Sequence, residues 1–316
     1  MIDFVAALRF IWGLNLVQEK VRRPRKVRVA PTINGRQKTE DELIYLKVSI
    51  NLSTPEAKFG PVAFRASETR FRESIKRIAD MSFDGVELLM DPRKVNLTKL
   101  EKLTRDYGLE IPAIGTGLTY LNYGFCFVHP NRNIRRATVR CMKEYIKFAS
   151  TSGSVVLVGT IRGKTTPAVS YRHAWKFLRT CLRECAAEAE KLGVIMALEP
   201  INRYETDIIN TVDEALSMIR DVNSNSIHLI LDTFHMNIEE SSVIDAITNA
   251  HDHLVHIHIP DSNRCAPGTG HLDFPKIMEA LRSVNYARYV SAEILPLPDS
   301  RAAAKQTLEH LLPLLR

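Results

Sequence analysis

A chain of 316 residues, 45% hydrophobic and 25% charged, has the composition of an ordinary globular protein, long enough for one large core. Its formal charge of +7 does not predict a nucleic-acid partner: residues 1–38 hold nine Lys/Arg and two Asp/Glu, leaving 34 of each sign in the remainder, so the body is neutral and lacks a basic footprint for phosphates. Five cysteines, an odd number with no Cys-x-x-Cys, argue against a disulfide framework and predict a reducing, cytoplasmic setting.

The chain opens with an apolar stretch, Ile2 to Val17, followed by a basic cluster from Lys20 to Arg28. Asp3, Arg9 and Asn15 interrupt the stretch, which falls short of the ~18 apolar residues that span a bilayer. Its positive charge follows the apolar run and no small-residue cleavage site comes after it, unlike a secretory signal. Residues 1–43 are therefore read as a basic, disordered extension without stable membrane insertion. Translation from an upstream start, or a peripheral membrane or partner-binding helix, is the alternative.

From Leu46 onward, short β-rich runs alternate with longer helical segments, the pattern of a parallel sheet covered by helices. The predicted strands are Leu46–Asn51, Gly85–Leu89, Ile111–Gly115, Val155–Thr160, Val194–Glu199, His228–Asp232, Leu254–Ile259 and Tyr289–Glu293. Helical periodicity is read near 67–82, 97–108, 134–152, 170–192, 211–223, 243–252, 274–285 and 299–315. Asn131 or Asn133 can cap the third helix, and Thr211 three residues before Glu214 forms a capping box. Cys181 and Cys185, one helical turn apart, are read as helix packing. Eight strand–helix pairs close a (β/α)8 barrel, a TIM barrel, over residues 44–316. The polar, aromatic run Gly115–Pro130 could cover a substrate. Gly159-Thr-Ile-Arg-Gly163 delivers Arg162 to the same face, either to grip an anionic group or to make a salt bridge within the loops.

Four of the last runs end in side chains that can hold a metal: Glu199, Asp232, His258 and Glu293, at intervals of 33, 26 and 35 residues. Each interval accommodates one βα repeat, and the carboxyl ends of barrel strands form one rim, so the four converge there. Such an oxygen-rich set suits Mn²⁺, with Co²⁺ or Mg²⁺ as alternatives, better than a structural zinc. A cation of this kind can stabilise the enediolate formed when a sugar carbon beside a carbonyl loses its proton, and two facing carboxylates favour epimerisation.

The segments Leu198-Glu-Pro-Ile-Asn-Arg-Tyr-Glu205, Leu231-Asp-Thr-Phe-His-Met-Asn-Ile-Glu-Glu240, His258-Ile-Pro-Asp-Ser-Asn-Arg264 and Ala292-Glu293 resemble the signature blocks of the D-tagatose 3-epimerase (ketose 3-epimerase) family of xylose-isomerase-like barrels. The resemblance covers residues 46–316 in order and spacing. Within that family, Ile111–Gly117, His129–Asn131, Asn202–Thr206 and Ala266–Gly268 are most similar to 5-keto-L-gluconate epimerases, which act on a keto acid and form D-tagaturonate. The resemblance implies an isomerase with Glu199, Asp232, His258 and Glu293 as metal ligands, and with Glu199 and Glu293 exchanging the C3 proton from opposite faces. It also implies that Glu205, His235 and Arg264 hold the carbonyl end of the sugar or sugar acid, and that the enzyme is a homo-oligomer, dimer or tetramer. Simpler roles stand beside these: His235 as a helix cap, Arg264 paired with Asp261, Glu205 capping a turn. Glu87 is read as a barrel-interior charge paired with a neighbour, and His256 as support one layer below His258; His251 and His253 belong to the preceding turn. Aldose–ketose or hydroxypyruvate-type isomerisation uses the same residues and is the main alternative. An apurinic-site endonuclease would need further histidines after the second and third strands, where this chain has Leu88–Asp91 and Gly115–Gly117. A non-catalytic sugar-binding protein would be signalled by loss of a ligand, and none is lost.

Overall fold

The computed structural model describes residues 46–57 and 60–315. The chain divides into two units, Met1–Glu42 and Leu43–Arg316, and every described residue lies in the second. The expected extension, residues 1–43, lies outside the described residues.

Among the described residues, nine parallel strands follow one another along the chain: β1 Lys47–Ser53, β2 Phe64–Arg65, β3 Gly85–Leu89, β4 Ala113–Gly115, β5 Val155–Val158, β6 Met196–Leu198, β7 Ile227–Asp232, β8 Leu254–His258 and β9 Tyr289–Ala292. Pairing of β1 with both β3 and β9 closes eight of them into a barrel, while the two-residue β2 pairs with the carboxyl end of β1. The expected (β/α)8 architecture is present, and β2 is an addition too short to leave a periodic signal. Asn51 explains it. The buried side chain donates to Pro61 O at 2.7 Å and accepts from Ala63 N at 2.7 Å, which pins the following segment over the barrel mouth.

Ten α-helices among the described residues cover the strands: α1 Phe71–Asp80, α2 Leu97–Asp106, α3 Gly117–Tyr123, α4 Arg132–Ser152, α5 Tyr171–Leu192, α6 Val212–Val222, α7 Thr233–Glu239, α8 Val243–Asn249, α9 Phe274–Ser283 and α10 Ser300–Leu311. In α5, Ala174, Leu178, Cys181, Leu182, Cys185 and Ala189 are buried at three- and four-residue spacing, so the two cysteines pack against the sheet as expected. Asn131 caps α4 by accepting from Asn133 N, and Thr211 and Glu214 form the capping box of α6. Helices α3 and α7 are short, follow β4 and β7 closely, and were not among the predicted helices. Among the described residues, no helix is long and apolar enough to cross a membrane.

Side chains alternate in and out along each strand, and the inward set divides. Ala113, Val155, Leu157, Ala197 and Ile230 form an apolar cluster on the β4–β7 side. Ser49, Glu87, His256 and Ser291, all buried, lie on β1, β3, β8 and β9. Buried polar groups of this kind usually have a partner: Glu87 accepts from His256 and Ser291 just beneath the barrel's carboxyl rim, while Ser49 Oγ has none.

Candidate active site

Each of the four predicted ligands stands where its strand ends. Asp232 and His258 are the last residues of β7 and β8 and are register partners, and His258 in turn pairs with Ser291 of β9. Glu293 lies two residues beyond Ser291 and so faces the same way. Glu199 follows β6 directly, its N–H donating to Val158 O. The structure brings all four together: His258 Nδ1 lies 3.6 Å from Glu199 Oε1, 3.6 Å from Asp232 Oδ2 and 3.4 Å from Glu293 Oε2, and one ligand atom from each falls within 4.8 Å of the others.

Asp232 divides its work between two oxygens. Oδ1 caps α7, accepting from Phe234 N at 2.7 Å and His235 N at 3.2 Å. The cap is therefore Asp232 rather than His235. Oδ2 and His258 Nδ1 are buried with no hydrogen-bond partner. Orphaned buried polar atoms are costly, and these two point at one spot with two glutamates around it, so the residues present fit a divalent cation. The electrostatics agree. Burial pushes Asp232 up, but His235 and His258 outweigh it and hold the carboxyl down at about 2. His258 is depressed by burial yet raised well above the usual imidazole range by Glu87 and Glu293. Burial, with the charge of Glu199 adding to it, raises Glu293.

Beside this cluster the predicted carbonyl-holding residues are linked. Asn202 Oδ1 accepts from Tyr204 N, which fixes its amide; Nδ2 then donates to His235 Nδ1 at 2.7 Å and to Glu205 Oε1 at 3.1 Å. An imidazole that accepts at Nδ1 carries its proton at Nε2, and that atom lies 4.0 Å from Glu199 Oε1. His235 thus aims an N–H donor into the site. Arg264 Nη1 donates to Glu205 Oε1 at 2.5 Å, and its guanidinium lies over Phe234. It does not pair with Asp261, whose carboxylate accepts from the N–H groups of Ser262, Gly268 and Leu272. Sequence reasoning assigned no role to Asn202; its place three residues before Glu205 was the available signal.

Arg162 requires a correction. The sequence reading offered it as a partner for an anionic substrate, but the side chain turns away from the cavity and is fully buried. Nε donates to Gly159 O at 3.2 Å and Nη1 to Ile209 O at 3.1 Å. Desolvation lowers its pKa to about 10 against the opposing charges of Glu199 and Glu205. It sits in a 3-10 turn, Thr160–Arg162, where strand alternation no longer sets side-chain direction. Glu87 pairs with two histidines, His256 and His258, as the interior-charge reading expected. Burial raises its carboxyl, and the two imidazoles bring it well below the ordinary carboxylate range.

The cavity above the cluster has a volume of about 230 Å³. One wall carries Glu199, Glu205, His235, His258, Arg264 and Glu293; the facing wall is apolar, with Pro61, Val62, Leu89, Leu121 and Leu157. Leu121 belongs to α3, within the run expected to cover a substrate, and is 62% exposed at the mouth. Arg264 is the only Lys or Arg lining this cavity among the described residues. A larger hollow of about 540 Å³ at the opposite end of the barrel, by Lys47, Glu110 and Arg288, has no comparable ligand set among the described residues.

Residues 75–314 match the family described as the xylose isomerase-like TIM barrel. The chain belongs to this family. It is 43% identical over 251 residues to a D-psicose 3-epimerase from Agrobacterium fabrum, covering 75% of this chain and 79% of that one. It is 30% identical to a 3-dehydro-D-guloside 4-epimerase from Escherichia coli, covering 70% and 86%. The solved structure of an L-ribulose 3-epimerase superposes with a TM-score of 0.74 at 27% identity, over 85% of this chain and 94% of that one. These relatives are sugar epimerases, and the chain is an isomerase of that class.

Proposed function

We propose that this protein is a divalent-metal-dependent epimerase that inverts the carbon next to the carbonyl of a ketose, with Glu199 and Glu293 as the acid/base pair. The observation that carries the reading is the meeting of both glutamates with the orphaned Asp232 Oδ2 and His258 Nδ1 at one point. A cation held by Glu199, Asp232, His258 and Glu293, with Mn²⁺ the best match and Co²⁺ or Mg²⁺ as alternatives, supplies when bound the positive charge that acidifies the C–H beside the carbonyl. One glutamate takes the C3 proton as its electron pair moves toward the carbonyl; the other returns a proton to the opposite face. His235 Nε2–H and the Arg264 guanidinium are donors for the oxygen on which charge develops. Glu205, held by Arg264 and Asn202, remains an acceptor for a substrate hydroxyl.

The substrate class that suits the cavity is a neutral ketose. Arg264, its one lining guanidinium among the described residues, is engaged with Glu205, and the facing wall is apolar. The keto-uronate reading, 5-keto-L-gluconate to D-tagaturonate, rested on motif resemblance and on Arg162, which is committed to backbone carbonyls. Aldose–ketose isomerisation remains the second reading, since proton transfer to the neighbouring carbon needs the same glutamates. The test is a panel of ketoses and keto-uronates incubated in D2O with the Mn²⁺-loaded protein. Deuterium at C3 with formation of the C3 epimer of a neutral ketose is expected. An aldose product, or turnover of uronates alone, would overturn the respective part of the reading.

A further inference from the structure

Beneath the ligand cluster, Glu87 is fully buried in β3 and has no part in the proton transfer above. It receives three donors: His256 Nε2 at 2.9 Å, His258 Nε2 at 3.1 Å to each oxygen, and Ser291 Oγ at 2.8 Å. An ionised carboxylate only accepts, so each imidazole nitrogen facing it carries its proton. For His258 this has a consequence on the other side of the ring. With the proton at Nε2, the lone pair of a neutral imidazole must lie on Nδ1, the atom that faces Glu199, Asp232 and Glu293.

We propose that Glu87 is a positioning residue for the metal centre, fixing the tautomer and ring orientation of His258 so that Nδ1 is presented as the ligand atom. The inference rests on the metal reading of the site given above. His256 and Ser291 make it a rigid device: both donate to Oε2 of Glu87 and so hold its plane, since a carboxylate with one partner could rotate. Three strands are tied together in this way, β3 through Glu87, β8 through both histidines and β9 through Ser291. A carboxylate behind a metal-bound histidine also raises the basicity of the ring, and removing such a partner typically weakens metal affinity about 10–100-fold.

The test is Mn²⁺ titration of the full-length protein by calorimetry, comparing wild type with Glu87→Gln. Glutamine preserves the shape but offers one acceptor oxygen to three donors. One Mn²⁺ per chain in wild type, bound at least about 10-fold more weakly by the folded variant, is the expected result. Equal affinity in wild type and a folded variant would overturn the role of Glu87 while leaving the metal reading intact. Failure of the wild type to bind Mn²⁺ at all would overturn both. Two ions per wild-type chain, falling to one in Glu87→Gln, would also overturn it, because Glu87 with His256 and His258 would then be a ligand set in its own right. A second measurement needs no variant: long-range ¹H–¹⁵N correlation on the Mg²⁺-saturated wild type. A proton on Nε2 of His258 and none on Nδ1 is expected; the reverse assignment would overturn the proposal even if Glu87→Gln does not fold.

Discussion

Arg162→Ala separates a loop anchor from a substrate grip. The guanidinium donates to two backbone carbonyls, Gly159 O and Ile209 O, at 3.2 and 3.1 Å. Hydrogen bonds from a charged donor contribute about 1.5–3 kcal/mol each, so losing both costs about 3–6 kcal/mol. Part of this is returned, because Arg162 Nη2 is buried without a partner and the charge is strongly desolvated. A net loss of about 3 kcal/mol is the working figure, in the range for breaking one side of a buried charged interaction. At about 2–4 °C per kcal/mol for a domain of this size, the melting temperature should fall by roughly 6–12 °C. The loop that slackens also carries Gly159, which abuts Glu199, so catalysis should suffer irrespective of the substrate's distal end. The assay is thermal unfolding together with kcat/KM on D-psicose and on D-tagaturonate. A fall in melting temperature with proportionate losses on both substrates is expected. An unchanged melting temperature with the loss confined to the uronate would refute the reasoning and restore Arg162 as a carboxylate partner.

A methyl group at Gly159 would stand 2.6 Å from Glu199 Oε2. Gly159→Ala should therefore displace a reacting carboxylate and cost about 10²-fold in kcat; its backbone, at φ −91° and ψ −120°, lies outside the regions open to an L-residue, so a circular-dichroism melt should also shift downward. Glu293→Gln should lower turnover by roughly 10²-fold or more by removing one of the proton-transfer pair, while calorimetry still registers ketose binding; near-normal turnover would end the two-glutamate mechanism. Exhaustive chelation should abolish epimerisation, and Mn²⁺ or Co²⁺ should restore it, as followed by product formation after dialysis; full activity in the chelated protein would rule out a metal enzyme.

The convergence of the four candidate ligands was legible in the sequence because each closes an apolar run, and alternation along a strand fixes which way a terminal residue faces as long as the strand persists. Asp232 and His258 end strands, and Glu199 and Glu293 follow theirs immediately. Legibility stops where the chain leaves the strand. Arg162 lies four residues past Val158 in a 3-10 turn, and its side chain reaches Gly159 O and Ile209 O rather than following a period of two. Helix α7 was hidden because Asp232 is both strand end and helix cap, leaving no loop between them. Asn202 and Ser291 owe their roles to partners 33 and 204 residues away, a kind of relation that no local pattern records. The pairing of Glu87 could be anticipated from its burial, but not which atoms it would face.

The cavity assigns its two walls to different stretches of chain. All four candidate ligands come from consecutive strands, β6 to β9, whereas most of the apolar lining comes from Pro61 and Val62 after β1, Leu89 of β3, Leu121 of α3 and Leu157 of β5. Substitutions in the first half of the domain can therefore reshape the cavity without touching the four candidate ligands. Selection could retune which sugar is accepted many times over on an unaltered reaction centre, and a laboratory library confined to those five wall positions should yield new substrate ranges at little risk to the chemistry.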